Sequence, residues 1–181
     1  RTEEKSKSAY IQAVTEWDTA IPMHTGIGVR FEKTDVLSTA LSQTPTEIRW
    51  VSQNEFPVTF NGKAFTSQSG SYTNVLPSVD WDADLRKDFK VRASYGETIG
   101  RPRYDQIQGG TTIGATANVN GDSASTGNPA LKPVKSRNLD LSAEWYYNDK
   151  SVVSLGLFGK KLSNYAGQSV TDVPQPGLHT P

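Results

Sequence analysis

Between residues 137 and 161, apolar and polar positions alternate with a period of two. Leu139, Leu141, Ala143 and Trp145 fall on one face of an extended strand, and Asn138, Asp140, Ser142 and Glu144 on the other. A tight turn at 148–150 follows, after which Val153, Leu155 and Leu157 resume the apolar face. Pairing Tyr147 with Ser151 sets Trp145 opposite Val153 and Glu144 opposite Ser154, so like faces meet. Phe158 then falls on the polar face, an anomaly for which contact with another domain is the available account.

The same alternation predicts four more strands. In 8–17, Ala9, Ile11, Ala13 and Trp17 oppose Tyr10, Gln12 and Glu16, with Val14 as a blemish. In 24–32, Ile27, Val29 and Phe31 oppose Gly26, Gly28, Arg30 and Glu32. In 71–83, Val75, Pro77, Val79 and Trp81 oppose Ser78, Asp80 and Asp82. After a turn at 85–87, Phe89, Val91, Ala93 and Tyr95 oppose Lys90, Arg92, Ser94 and Gly96. With Arg86 at the turn centre, Asp82 faces Lys90, Asp80 faces Arg92, Trp81 faces Val91 and Val79 faces Ala93. Each opposite-charge pair then contributes about 0.2–1 kcal/mol. The stretches 33–70, 99–136 and 165–181 are polar and read as long loops. Ile48, Trp50 and Val51 predict a local strand in the first, which has room for an extra pair of spans.

Composition narrows the class. No apolar run in the 181 residues approaches the roughly 18 that a membrane-crossing helix needs, whereas a membrane barrel tolerates a polar residue at every second position. Nineteen basic and nineteen acidic residues give no net charge, which argues against nucleic acid as a partner. Without cysteine, disulfide and thiolate chemistry are excluded. His24 and His179 are far apart in sequence, and no zinc-ligand spacing, nucleophile elbow or phosphate loop is present. The run Asn118-Val119-Asn120-Gly121-Asp122 faintly resembles a calcium loop, but its glycine is misplaced and Pro129 stands where a bidentate Glu is needed. No catalytic residue, metal or cofactor is therefore expected, and the chain is not read as an enzyme. The first ten residues lack the apolar core of a signal peptide, and the pattern starts and stops in mid-course. This predicts an internal piece of something longer.

Two readings share the alternation: a soluble antiparallel β-sandwich and a wall of a membrane β-barrel. Short connections at 18–22, 84–88 and 148–150 alternate with the three long ones, as in outer-membrane barrels. Trp17, Trp81, Trp145, Tyr146 and Tyr147 all precede the short turns and are candidates for an aromatic girdle at one level of the lipid interface, with Trp17, Trp81, Trp145 and Tyr147 as its main members. Arg30, Glu32, Asp80, Asp82, Lys90, Arg92, Asp140 and Glu144 would then face the lumen. Arg101 and Tyr104, with Trp50 and Tyr72, lie toward the long loops, where aromatic residues have room either to stack on sugar rings or to pack the loops.

Residues 71–107, SYTNVLPSVDWDADLRKDFKVRASYGETIGRPRYDQI, and 127–147, GNPALKPVKSRNLDLSAEWYY, resemble the C-terminal half of TonB-dependent outer-membrane receptors. SAYIQAVTEW and GIGVRFEKTDV resemble the preceding hairpin of that family. The resemblance implies an all-β antiparallel meander of about six spans, part of a 22-stranded transmembrane barrel in the bacterial outer membrane, with the plug domain absent from this chain. It further implies active import of a small-molecule or oligosaccharide nutrient, a carbohydrate or a metal chelate. Energy would come from the TonB–ExbB–ExbD complex acting through the missing plug, with outer-membrane lipid as a further partner. A secreted or surface β-sandwich binding module and a passive porin-like barrel are the alternatives.

Overall fold

A computed structural model describes residues 1–52, 55–114, 116–117, 124–172 and 178–179. The chain is all-β among these residues. Twelve strands occur among the described residues: β1 (Thr2–Trp17), β2 (Met23–Ser42), β3 (Pro45–Arg49), β4 (Phe56–Phe60), β5 (Ala64–Arg86), β6 (Phe89–Gly100), β7 (Thr111–Ile113), β8 (Thr116–Ala117), β9 (Ala124–Thr126), β10 (Val134–Asn148), β11 (Ser151–Ser163) and β12 (Leu178–His179). Six of them form one antiparallel sheet in the order β1-β2-β5-β6-β10-β11, with β1 and β11 at its edges. The others make small sheets in the long connections, β12-β3-β4-β8 and β7-β9. The calcium-like run at 118–122 lies outside the described residues.

The four predicted strands and the 137–161 hairpin are present, several longer than the alternation indicates, and the local strand expected around Ile48 is β3, which ends at Arg49 and leaves Trp50 and Val51 outside it. β2 continues to Ser42 and β5 starts at Ala64, so the stretch 33–70 is largely strand, and only 43–63 connects the two. Residues 33–42 and 64–70 carry polar side chains on both faces, which erases the period-two signal while leaving an unbroken ladder from Met23↔Ala83 to Ser42↔Ala64. The second connection likewise narrows to 101–133.

The β10–β11 register sets Trp145 opposite Val153 and Glu144 opposite Ser154, as expected. Tyr147 does not pair with Ser151. A bulge after Trp145 brings Asn148 there instead. The β5–β6 register differs from the expected one by two residues. Asp82 faces Arg92, Asp80 faces Ser94, Trp81 faces Ala93 and Val79 faces Tyr95. The cause is a bulge between Asp84 and Arg86, which moves the turn to Lys87 and Asp88.

One face of the main sheet is bare. Ile11 is 69% exposed, Leu155 67% and Leu157 63%, and Ile27, Phe31, Leu139 and Leu141 are also exposed. A two-layer sandwich would bury this face, so the sandwich reading is not supported among the described residues. The packed core lies on the opposite face, where Val36 and Tyr72 of β2 and β5 are covered by Ile107 and Leu131 from the 101–133 connection. Gly70 lets that connection come close, because a Cβ there would collide with the backbone of Pro129 and Ala130.

Candidate functional site

The charged face of the main sheet and the strap across it form the candidate site. Alternation puts Arg30 and Glu32 of β2, Asp80 and Asp82 of β5, Lys90 and Arg92 of β6, and Asp140 and Glu144 of β10 on one side. Three groups of contacts divide that side.

Near the short turns, Asp82 accepts from Lys90 Nζ at 3.2 Å and lies 3.2 Å from His24 Nδ1. Lys90 also reaches Asp84 at 3.4 Å. The expected Asp82–Lys90 contact therefore forms diagonally despite the shifted register. Arg92 donates to Glu144 at 3.4 Å, and the Tyr146 hydroxyl donates to the same carboxylate at 2.6 Å.

In the middle, Asp80 and Asp140 form no ion pair among the described residues. With Arg92, Ser94, Ser142 and Phe158 they line a shallow concavity of about 450 Å³. Asp140 pairs with Phe158 across β10–β11, so Phe158 does stand on the polar face, where it is 83% exposed.

Toward the long connections, Glu32 is held between two guanidinium groups. Arg101 donates to it at 2.8 Å and to Ser6 Oγ at 3.2 Å. Arg30 donates to Glu32 at 3.2 Å and to Ser8 Oγ at 3.0 Å. The Glu32 side chain is only 5% exposed. Burying a carboxylate at this depth is tolerable because it is paired and hydrogen-bonded. The hydrogen bond to Glu32 holds the Arg101 guanidinium above its ordinary pKa. Past Arg101 the chain runs on to Gly109, whose N–H donates to Ser38 Oγ at 2.9 Å, and Ile107 fills the pocket against Val36 and Tyr72. The connection is thus a strap fastened to the charged face of β1, β2 and β5.

Several sequence-flagged residues stand apart from these groups. Tyr104 projects from the strap, 64% exposed. Of the two roles expected for Tyr72, a sugar platform and loop packing, it takes the second, being buried under Ile107. Trp50 is exposed, as expected. Trp17, Trp81 and Trp145 lie on the bare face near the short turns. Trp17 shares a hydrogen-bonded row with Met23 and Ala83, so Trp81 sits two positions further from the turns than that row. Tyr147 packs beside Trp145, with ring centroids 5.8 Å apart, whereas Tyr146, expected in the same girdle, alternates to the charged face and bonds Glu144 there. Ser6, Ser38, Ile107 and Gly109 were not flagged by the sequence, because small polar residues and a lone Ile in an aperiodic stretch carry no pattern.

A family model described as "TonB dependent receptor-like, beta-barrel" matches residues 1–180. No curated protein and no solved structure matches the chain.

Proposed function

Taking as premise that the chain belongs to the TonB dependent receptor-like β-barrel family, a family of transport receptors and not of enzymes, we propose that it forms part of the wall of a bacterial outer-membrane receptor. In this reading the receptor imports a scarce nutrient, a carbohydrate or a metal chelate, with energy from the TonB–ExbB–ExbD complex transmitted through a plug domain. The bare face contacts lipid, and the charged face bounds an aqueous passage that holds the plug and admits the ligand.

The observation that carries the reading is the bare apolar band itself. On β1 and β2 it runs from the Trp17–Met23 pair to Ala9–Phe31, nine residues per strand, the length a tilted membrane strand requires. Beyond it the same face turns to Lys7 and Lys33. On β6, β10 and β11 the change to charge comes at Glu97, Arg137 and Lys161. Followed along the hydrogen-bonded rows, the last row before that second boundary, through Leu139 and Tyr95, is level with Ile27 of β2, four residues short of Phe31, where the band of β2 ends. A boundary that steps across the rows in this way fits strands inclined to the membrane normal, as barrel closure demands.

On the charged face, the ion pairs near the short turns keep the wall wet and in register. The unpaired carboxylates Asp80 and Asp140, with Arg92, are the groups left open to plug or ligand. The strap through Arg101, with exposed Tyr104, narrows the passage on the side of the long connections. Uptake by cells producing the full-length receptor tests the function. Accumulation of its nutrient should cease when the proton-motive force is collapsed, whereas accumulation that continues unchanged would identify a passive pore.

A further inference from the structure

The bare face ends in an unusual way on the side of the long connections. Lys7 stands directly opposite Lys33 across β1–β2, immediately beyond the Ala9–Phe31 pair. Arg137 stands directly opposite Lys161 across β10–β11, immediately beyond Leu139–Gly159. Like charges placed directly across a strand pair are destabilising. A rim that needed only polarity would alternate the signs, as the Lys5–Asp35 pair next to Lys7–Lys33 does. The neighbouring carboxylates neutralise the two cationic pairs only in part. Lys33 reaches Asp35 at 4.0 Å, Arg137 is 3.0 Å from Glu97, and Lys7 and Lys161 have no ion-pair partner among the described residues. All four cations are exposed.

We propose that the Lys7–Lys33 and Arg137–Lys161 pairs bind phosphate groups on the headgroups of lipids in the outward leaflet. This rests on the membrane reading above. An anion seated between two cations turns their repulsion into charge-assisted hydrogen bonds. Guanidinium and ammonium groups are both phosphate ligands, the first bidentate and the second a point charge. Position selects a lipid over a free ion. Both pairs point away from the passage, one strand position above the apolar band, at the height where acyl chains lying on that band would carry a headgroup phosphate. The opposite end of the band carries Trp17, Trp145 and Tyr147 in place of basic pairs, so the attraction is confined to one leaflet.

The test is native mass spectrometry of the full-length receptor, folded in detergent with six-acyl bisphosphorylated lipid A or with the same lipid dephosphorylated. The wild type should retain the phosphorylated lipid in preference. The double variants Lys7→Gln/Lys33→Gln and Arg137→Gln/Lys161→Gln should each weaken one of the two sites by about tenfold, the loss expected for charge-assisted hydrogen bonds, so that one retained lipid is lost and the other stays, and the variant combining all four substitutions should lose both. Retention of the dephosphorylated lipid should be unchanged, and so should all retention in Lys87→Gln/Lys150→Gln at the short turns. Millimolar inorganic phosphate should not displace the lipid; displacement would make the sites receptors for free phosphate and overturn the lipid assignment. Lys7→Glu separates binding from folding, because it creates an ion pair with Lys33 while removing half of the site. Thermal stability should hold or rise as lipid retention falls. Equal retention of both lipids by the wild type, or undiminished retention by the double variants, would overturn the proposal. Failure of the membrane reading would look different, since the wild type itself would then not insert into lipid vesicles.

Discussion

Glu32 shows how one side chain ties distant parts of the chain together. Its carboxylate accepts from Arg30, two residues away on the same strand, and from Arg101, 69 residues away at the start of the strap. Because Glu32 is nearly inaccessible to solvent, its hydrogen bonds are not discounted as surface ion pairs are. Arg101→Ala should weaken docking of the strap by about 1.5–3 kcal/mol, the range for hydrogen bonds to charged groups. Amide exchange at Gly109, which donates to Ser38 across that contact, should then quicken by roughly ten- to hundredfold. Exchange in β10 and β11 should not change. Ile107→Ala should act at the same place and cost about 2–5 kcal/mol of docking, as removal of a buried aliphatic side chain does. Alternation in the sequence was enough to put Arg30 and Glu32 on one face. Their meeting with Arg101 was not legible, because the strap has no periodicity from which to infer where it lies. The burial of Tyr72 was hidden for the same reason, since the residue that covers it belongs to the strap.

At the scale of the strands, the limit of pattern reading is the distinction between faces and register. A slip of one residue exchanges the two faces and is excluded wherever one face is apolar. A slip of two keeps both faces intact. In β5–β6 it even keeps opposite charges together, Asp82 meeting Arg92 in place of Lys90. The sequence therefore determined the faces but could not see the bulge near Leu85 that selects the register. In β10–β11 the corresponding bulge lies between Trp145 and Asn148, so the inferred pairs on the far side of it from the turn, Trp145–Val153 and Glu144–Ser154, survive, whereas the inferred Tyr147–Ser151 pair is lost to Asn148. The lengths of β2 and β5 were underestimated because their outer portions are polar on both sides. Two substitutions test the elements. Leu141→Arg, near the middle of the apolar stretch of β10, should cost the full-length receptor about 2–4 kcal/mol of folding stability in lipid. A near-neutral result would place that face in water. Gly70→Ala should leave the β2–β5 ladder intact yet push the strap off the sheet, because the added methyl occupies space held by the backbone of Pro129 and Ala130. Increased protease cleavage within 101–133, with unchanged strand content, is the expected result.

Over the whole sheet, two faces with different partners account for the arrangement. One face carries ion pairs, a fastened strap and two free carboxylates; the other carries exposed aliphatic residues bounded by aromatic rings at one end and by basic pairs at the other. The central claim is that the second face lies against hydrocarbon. Spin labels placed one at a time along 139–145 and 153–158 of the full-length receptor in lipid vesicles test it most directly. Collision rates with oxygen, which concentrates in the bilayer, should oscillate with a period of two, peaking at Leu139, Leu141, Ala143, Val153, Leu155 and Leu157 and falling at Asp140, Ser142, Ser154 and Gly156. The opposite phase, or equal accessibility of both sets to a water-soluble nickel chelate, would contradict the account.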